Sequence, residues 1–547
     1  MSELPAPPAV LTIAGSDPSG GAGIQADLKT FAACGCYGMA VLTALTAQNT
    51  TGVQGVHAVP PAFVEQQLES VLTDIPPRAL KTGMLYDRAT VVAVASALRA
   101  AYPAREKMPP LVVDPVCVST SGHQLLDSAA VDALAQDLMP LAVLVTPNTG
   151  ELALLLGPEK GTVRSLADLR DGARALAGPC ESEGPAVLLK GGHLRASLAE
   201  ARALADADLV FASGLPGENM EVLYAGVERR TDAEVEVVVD VLRESGGRET
   251  LFVSPRIEST STHGTGCTLS AAIACSIAQG QPVRSAVHAA IRYTHGAIAS
   301  ATPYGAGYGP LNHAPSLMLF PRATRADPRP FVRWLIESCR GVWKAYVEHE
   351  FVKKLGEGTL RRECFVHFLR QDYLYLKYYA RAHGLLVAKS SAYSEFGAAA
   401  AIVQHVARES QMHVAFCAEF GVGAEELEST RESPACTAYG AYILDVGLRG
   451  DRSALQMALA ACLIGYGEVG LWLRRQSWAV LEGNAYRRWI EDYSGDEYQG
   501  AVRVGIERLE SMAAREVSCE RITEWREVWE RCATLEKQFW DMGLDLS

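Results

Sequence analysis

Two stretches of the chain carry residues whose types and spacing suit chemistry. In Ser261-Thr-His-Gly-Thr-Gly-Cys-Thr-Leu-Ser-Ala-Ala, a glycine-containing turn passes straight into an apolar helical run. The unpaired amides of Gly264, Thr265, Gly266 and Cys267 would then point at one spot. There the helix end contributes roughly half a positive charge, which makes an anion hole. The same field would lower the pKa of a thiol placed in it, so Cys267 is a candidate activated residue. For a cysteine seen in isolation, a small buried helix-packing residue is the favoured account. The glycine-rich Ala14-Gly-Ser-Asp-Pro-Ser-Gly-Gly-Ala-Gly-Ile-Gln-Ala-Asp27 permits close backbone approach to a ligand before the chain enters a helix at Asp27. In the second stretch, Cys462 and Tyr466 stand at i and i+4 on one face of an apolar helix. No histidine follows His413, so a reactive cysteine there needs a carboxylate or a tyrosine as its proton partner, or a histidine from earlier in the chain. Core packing is the plainer account of that pair taken alone.

The elements that must hold these residues differ between the two halves. Short apolar runs beginning at Ala9, Leu111, Val143 and Ala186 each end in a Gly, Pro or polar turn and are separated by helical patterns. This predicts a parallel sheet covered on both faces. In such a sheet ligands lie beyond the carboxyl ends of the strands, where Asp114, Asn148, Glu151 and Lys190 fall. After residue 330 strand-like runs stop, and helical spacing of apolar residues over 331–355, 363–383 and 503–540 predicts an all-helical domain. All 8 tryptophans lie at or after Trp334. The four prolines of 313–330 mark a linker, so the expected division is 1–312, linker 313–330, and 331–547. The charged stretch 218–258 could be a strand running into a helix but fits neither pattern cleanly, and its structure is left open.

Composition narrows the classes. With 547 residues, 48% hydrophobic and 21% charged, the chain is globular and long enough for two or three domains. A formal net charge of -13 argues against nucleic acid and anionic membranes as partners. The proline-rich, acidic N-terminus does not read as a secretion signal, and residues 454–473, interrupted by Gln456, Gly465, Gly467 and Glu468, read as a buried bundle helix, so a cytoplasmic protein is expected. The 13 scattered cysteines suggest reduced thiols; Cys34 and Cys36, with no second pair to complete a metal site, are assigned to packing.

Six motifs in order over about residues 8–312 resemble the hydroxymethylpyrimidine and phosphomethylpyrimidine kinases of thiamine biosynthesis. They are the glycine-rich stretch from Ala14, Thr43-Ala-Leu-Thr-Ala-Gln-Asn-Thr, Lys81-Thr-Gly-Met, Val113-Asp-Pro-Val, Thr146-Pro-Asn and His263-Gly-Thr-Gly-Cys-Thr-Leu-Ser-Ala-Ala. The resemblance implies a ribokinase-like α/β fold and the use of ATP and Mg²⁺ to phosphorylate a pyrimidine alcohol and then its monophosphate. It makes Gly15, Asp27 and Gln48 pyrimidine-binding and 264–267 the anion hole, with Cys267 where related kinases carry an aspartate base. A carboxylate and an amide are chemically able to read the edge of an aminopyrimidine. Asp27 as a helix cap and Gln48 as a loop-stabilising amide are the alternatives. Asp114 and Glu151 could serve Mg²⁺ through water, and Asn148 and Lys190 the nucleotide, with capping and surface roles equally open.

Residues 331–545 are similar to thiaminase II of the TenA type, a helical bundle of haem-oxygenase-like fold. The likeness lies in Phe351-Val-Lys-Lys-Leu-Gly-Glu-Gly-Thr-Leu, Gln371-Asp-Tyr-Leu-Tyr-Leu, Tyr439-Gly-Ala-Tyr, Ala460-Ala-Cys-Leu-Ile-Gly-Tyr-Gly-Glu, Trp489-Ile-Glu-Asp-Tyr and Leu535-Glu-Lys-Gln-Phe-Trp. It implies Cys462 as nucleophile, Glu536 as acid/base, Asp372 as pyrimidine anchor, and Tyr375, Tyr439, Tyr466 and Tyr493 as orienting groups. Many relatives have Pro-Cys and then an aromatic residue, where this chain has Ala461 and Leu463 around Cys462. The implied substrate is thiamine or its aminomethyl pyrimidine breakdown product. Kinase first and hydrolase second resembles the fungal trifunctional thiamine-salvage fusions, and both families suggest homo-oligomers. The competing reading is a pyridoxal or other small-alcohol kinase joined to an inert helical oligomerisation module; Asp27 with Gln48 favours the pyrimidine.

Overall fold

The computed structural model describes residues 6–117, 126–178, 184–204, 207–211, 219–224, 232–315, 323 and 327–547. Most of the expected linker therefore lies outside the described residues. The chain forms two compact units that are not contiguous in sequence: 1–215 with 230–327, and 216–229 with 328–547.

The first unit is built on one sheet of eleven strands: β1 (Ala9–Ser16), β2 (Tyr37–Asn49), β3 (Gly52–Ala58), β4 (Ala79–Thr82), β5 (Leu111–Val113), β6 (Leu144–Val145), β7 (Ala186–Leu189), β8 (Ala196–Ser197), β9 (Asp208–Phe211), β10 (Glu236–Arg243) and β11 (Glu249–Pro255). Their order is β3-β2-β1-β4-β5-β6-β7-β10-β11-β9, with β8 beside β10. Strands β2, β1, β4, β5, β6 and β7 are mutually parallel, while β3 and β10 run antiparallel to their neighbours.

The continuous apolar runs are explained by two cores on opposite faces. Val10, Ala79, Val112 and Leu144 pack with the helices Thr265–Ala278 and Val283–Ala299, while their chain neighbours Leu11, Leu80, Leu111, Val113 and Val145 pack with Pro61–Asp74 and Arg88–Ala101. Alternate side chains of a strand face opposite ways, so a strand buried on both sides must be apolar throughout. Of the charged stretch left open in the sequence, residues 232–258 contain a hairpin in which β10 turns at Gly247 (φ +80°) into β11 with no helix after β10, while residues 219–224 include one short turn, Glu221–Tyr224. β1 pairs on one side with β2 and on the other with β4, and this change of direction places the ligand crevice at the carboxyl end of β1.

The second unit is helical in all its described elements. The expected run 331–355 is three short helices, Pro330–Ser338, Arg340–Val347 and Glu350–Glu357, and 503–540 is divided at Val517 between Asp496–Glu516 and Cys519–Asp545. Ser518 accepts the Arg521 amide and so restarts the helix there, a break that apolar spacing alone does not reveal. The long helices Arg362–Ala388, Pro434–Arg449, Arg452–Arg475 and Cys519–Asp545 line the interior. Arg452–Arg475 is long and apolar enough to cross a membrane, but 78% of its apolar window is buried within the protein, in keeping with a bundle helix. Trp343, Trp525, Trp529 and Trp540 are fully buried around it.

Candidate active sites

In the first unit, two helices begin at one place. Gly264 takes the left-handed conformation (φ +84°) and stands so near Gly21 that a Cβ on it would lie 1.8 Å from the Gly21 carbonyl oxygen; only glycine fits. From there the helix Thr265–Ala278 starts, and its third residue, Cys267, receives a hydrogen bond from the amide of Gly23, the first residue of Gly23–Ala33. The amide that opens one helix thus meets the sulfur in the first turn of the other. The expected depression of the Cys267 thiol is not found. Burial, helped by the nearby Asp27 and Asp114 carboxylates and opposed by Lys81, pushes it up to about 11, so it is a neutral thiol.

Asp27 is not a helix cap. It lies in the second turn of Gly23–Ala33, fully buried, with Oδ2 accepting from Thr12 Oγ1 (2.6 Å) and from Lys81 Nζ (2.8 Å), while Oδ1 has no partner among the described residues. Against the lowering effect of its own burial, Lys81 is held protonated by the Asp27 carboxylate. Lys81 was visible as part of a motif but not as a site residue, because only the tertiary fold puts β4 under this helix.

Gln48, on β2, belongs to a polar chain rather than to an isolated loop. Its Nε2 lies 3.3 Å from His263 Nε2, which lies 2.9 Å from Asp17 Oδ2. Asp17 also accepts the amides of Ser19, Gly21 and Ala22, which fixes the glycine-rich turn beside the 264–267 turn. Gly15 ends β1 at the same place, with Met84 packed so closely that a Cβ would stand 2.5 Å from Met84 Cε.

The four residues beyond β5, β6 and β7 also converge. Lys190 Nζ lies 3.0 Å from Asp114 Oδ1 and 4.0 Å from Glu151 Oε2. A Cβ added at Gly266 would lie 3.2 Å from the Lys190 ammonium and 3.5 Å from Asp114 Oδ2. Asn148 and Glu151 do form a reciprocal helix cap (2.7 and 2.8 Å), so the capping reading holds for them. The surface reading fails for Asp114 and Glu151, both buried. Burial, against the pull of Lys190, pushes Glu151 up to about 7. Asp240 on β10 was not anticipated; it takes the Gly191 amide (2.9 Å) behind Lys190, and burial pushes it up to about 6. Among the described residues no three His, Cys, Asp or Glu side chains are grouped as a metal cage. The acceptors present suit a hydrated divalent cation carried in with phosphates.

In the helical unit, Cys462 and Tyr466 on Arg452–Arg475 meet Asp372 and Tyr375 of Arg362–Ala388, Tyr439 of Pro434–Arg449 and Glu536 of Cys519–Asp545. Tyr439 Oη donates to Glu536 Oε1 at 2.7 Å, and the Cys462 thiol hydrogen-bonds the same carboxyl group. Tyr375 stacks on Tyr439 with ring centroids 4.6 Å apart, and Tyr493 lies 5.0 Å from Tyr466. Burial pushes Glu536 up to about 8 and Asp372 up to about 7; burial and the Glu536 carboxylate hold the Cys462 thiol well above its ordinary value. All seven residues singled out in the second half are thus brought together. Tyr346 was missed. It is fully buried, fits against Gly465, where a Cβ would lie 2.1 Å from its ring, and packs on Tyr466 at 6.4 Å. Nothing in its spacing marks it, since it comes from the short helix Arg340–Val347.

A glycine-led helix start whose cysteine takes the amide of a second helix start, near a buried ammonium and at the strand crossover of a mainly parallel sheet, defines an α/β kinase of the ribokinase-like class, here continuous with a helical thiol–carboxyl domain. The chain belongs to the phosphomethylpyrimidine kinase family, whose signature matches residues 17–214 and 217–312, and the signature of the TENA/THI-4/PQQC family matches residues 336–546. It is 38% identical to the putative hydroxymethylpyrimidine/phosphomethylpyrimidine kinase 2 of Schizosaccharomyces pombe over 98% of this chain and 90% of that one. It is 32% identical to the hydroxymethylpyrimidine/phosphomethylpyrimidine kinase THI20 of Saccharomyces cerevisiae, covering 98% and 96%. A Streptomyces coelicolor hydroxymethylpyrimidine/phosphomethylpyrimidine kinase is 42% identical over 56% of this chain and 94% of its own length. The chain is thus a kinase of thiamine biosynthesis fused to a TenA-type domain, and a pyridoxal-type kinase joined to an inert module is not favoured.

Proposed function

We propose that the first unit phosphorylates 4-amino-5-hydroxymethyl-2-methylpyrimidine to the monophosphate and then the diphosphate from ATP, and that the helical unit hydrolyses thiamine or aminomethyl aminopyrimidine to the same alcohol. The observation that carries the kinase reading is the helix start at Gly264, with its first-turn amides, where the Gly23 amide meets Cys267 near the buried Lys81–Asp27 pair. The amides take the transferring phosphoryl oxygens. The unpartnered Oδ1 of Asp27 accepts the ring amino group, Gln48 reads the adjacent ring nitrogen, and Gly15 lets the ring approach the backbone. Lys190 and Asn148 would face the nucleotide phosphates, and Asp114 and Glu151 would hold the waters of Mg²⁺, which would supply charge neutralisation to those phosphates. A neutral thiol is not a general base at pH 7. Cys267 therefore positions the alcohol, and the hydroxyl proton passes late, in a loose transition state, to an oxygen of the transferred phosphoryl group, so that the rate rests on positioning and charge neutralisation.

In the helical unit the thiol and carboxyl are both protonated at rest, which burial enforces. Asp372 anchors the pyrimidine while Tyr375, Tyr439, Tyr466 and Tyr493 orient it. Glu536 gives its proton to a ring nitrogen and takes up the thiol proton as the Cys462 sulfur adds to the electron-poor ring, so that the amine or thiazole leaves the methylene carbon; water then adds there, losing a proton to solvent or the departed amine, and the ring-nitrogen proton returns through Glu536 to the departing sulfur as the aromatic ring is restored. The fusion makes a salvage enzyme that acts on small molecules, in which one unit's product is the other's substrate.

The test is to incubate aminomethyl aminopyrimidine with the full chain, with and without Mg-ATP, and follow products by mass spectrometry. Alcohol without ATP and phosphates with it are expected. Phosphates formed only from supplied alcohol, with thiamine also untouched, would remove the hydrolase half of the reading.

A further inference from the structure

The helical unit contains a piece of chain that is distant in sequence. Residues 219–224, between β9 and β10, belong to it and include one tight turn, Glu221–Tyr224. Glu468, fully buried on the helix that carries Cys462 and Tyr466, accepts the backbone amides of Glu221 (3.1 Å) and Val222 (3.0 Å). From the other side Arg329 donates to the carbonyls of Val222 (3.0 Å) and Leu223. Trp343 Nε1 donates to the Asn219 carbonyl (2.8 Å), Asn219 Nδ2 donates to Glu348 Oε1 (3.0 Å), and Glu221 is ion-paired with Arg475. Met220, Val222 and Leu223 are buried, and Val222 Cγ1 lies only 3.5 Å from where a Cβ of Gly467 would stand.

We propose that residues 219–224 are a built-in peptide ligand of the bundle, a strap that completes the helical unit and fixes the helix bearing Cys462. Glu468 lies on the helix of Cys462, and two of its hydrogen bonds go to the strap. A carboxylate without solvent needs donors, and the strap supplies two. The backbone groups of the strap would in turn be unsatisfied without Glu468, Arg329 and Trp343. The six residues are recognised mostly through their main chain, with Val222 as the apolar anchor. This inference does not rest on the hydrolase reading.

All 8 tryptophans lie in the helical unit, so tryptophan emission during heating of the full chain reports that unit alone. Val222→Pro removes one donor to Glu468 without altering the bundle; Glu468→Ala removes the acceptor. Each is expected to lower the emission midpoint by roughly 5 °C while kinase turnover is retained, and the double variant to lose little more than the larger single loss. Amide exchange of the unaltered full chain is expected to show Glu221 and Val222 as protected as the Arg452–Arg475 helix. An unchanged midpoint for Val222→Pro, or full additivity in the double variant, overturns the proposal. So does exchange of those two amides at the rate of unfolded chain, which decides the matter even if Glu468→Ala fails to fold.

Discussion

Tyr439 Oη donates to Glu536 Oε1 at 2.7 Å, and the same carboxyl group meets the Cys462 thiol, so three helices hold one shared proton site. Cys462→Ser is expected to reduce hydrolysis by at least about 10³-fold, since the serine hydroxyl is a far weaker nucleophile toward the ring, and to leave the kinase rate unchanged. Parallel assays of both activities on one preparation check this; loss of both with folding intact would contradict separate sites.

The raised pKa values of Glu536 (4.5 to about 8) and Asp372 (3.8 to about 7) have a defined sign. The folded protein holds these protons more tightly than the unfolded chain. The resulting stabilisation is complete below about pH 4, and declines as pH rises through 7 and 8. Tryptophan-detected unfolding of the helical unit should therefore weaken between pH 5 and 8, and Glu536→Gln should flatten the upper part of that curve. Hydrolysis should also fall above about pH 8 as the proton donor is lost.

Lys81 and Asp27 form an ion pair with neither side chain exposed. Lys81→Met leaves a buried carboxylate with Thr12 as its only partner and should cost about 3–5 kcal/mol of stability in the first unit. Adding Asp27→Asn should recover much of that stability but not pyrimidine phosphorylation. Circular dichroism melting and kinase assays separate the two effects; full activity in the double variant would remove Asp27 from the pyrimidine site.

Gly264→Ala meets both a positive φ and the Gly21 carbonyl. The two turns must then move apart, and phosphoryl transfer should fall by roughly 10²–10³-fold, as when a preorganised oxyanion donor is lost. Hydrolysis by the helical unit should be unaffected.

With its thiol at about 11, Cys267 should react with iodoacetamide at pH 8 roughly 10²-fold more slowly than an ordinary cysteine. Peptide mapping over time measures this directly. Cys267→Ala should still lower phosphorylation, because the sulfur positions the alcohol rather than ionising, and should spare hydrolysis.

The sequence by itself determined the two architectures, since continuous apolar strands permit only a sheet buried on both faces and helical spacing after residue 330 permits only a bundle. It also showed the glycine-led turn at 264–267, and local, ordered motifs carried the resemblance that singled out Cys462, Glu536, Asp372, Tyr375, Tyr439, Tyr466 and Tyr493, which the fold brings together. What it did not determine depends on distance in the chain. Desolvation reverses the expected shift at Cys267, and burial depends on what packs over a residue rather than on its neighbours in sequence. Lys81 under Asp27, His263 between Asp17 and Gln48, and Tyr346 against Gly465 are pairings made by the fold. The strap at 219–224 is the extreme case: a charged stretch with no readable pattern of its own, whose conformation is fixed by a carboxylate 246 residues away.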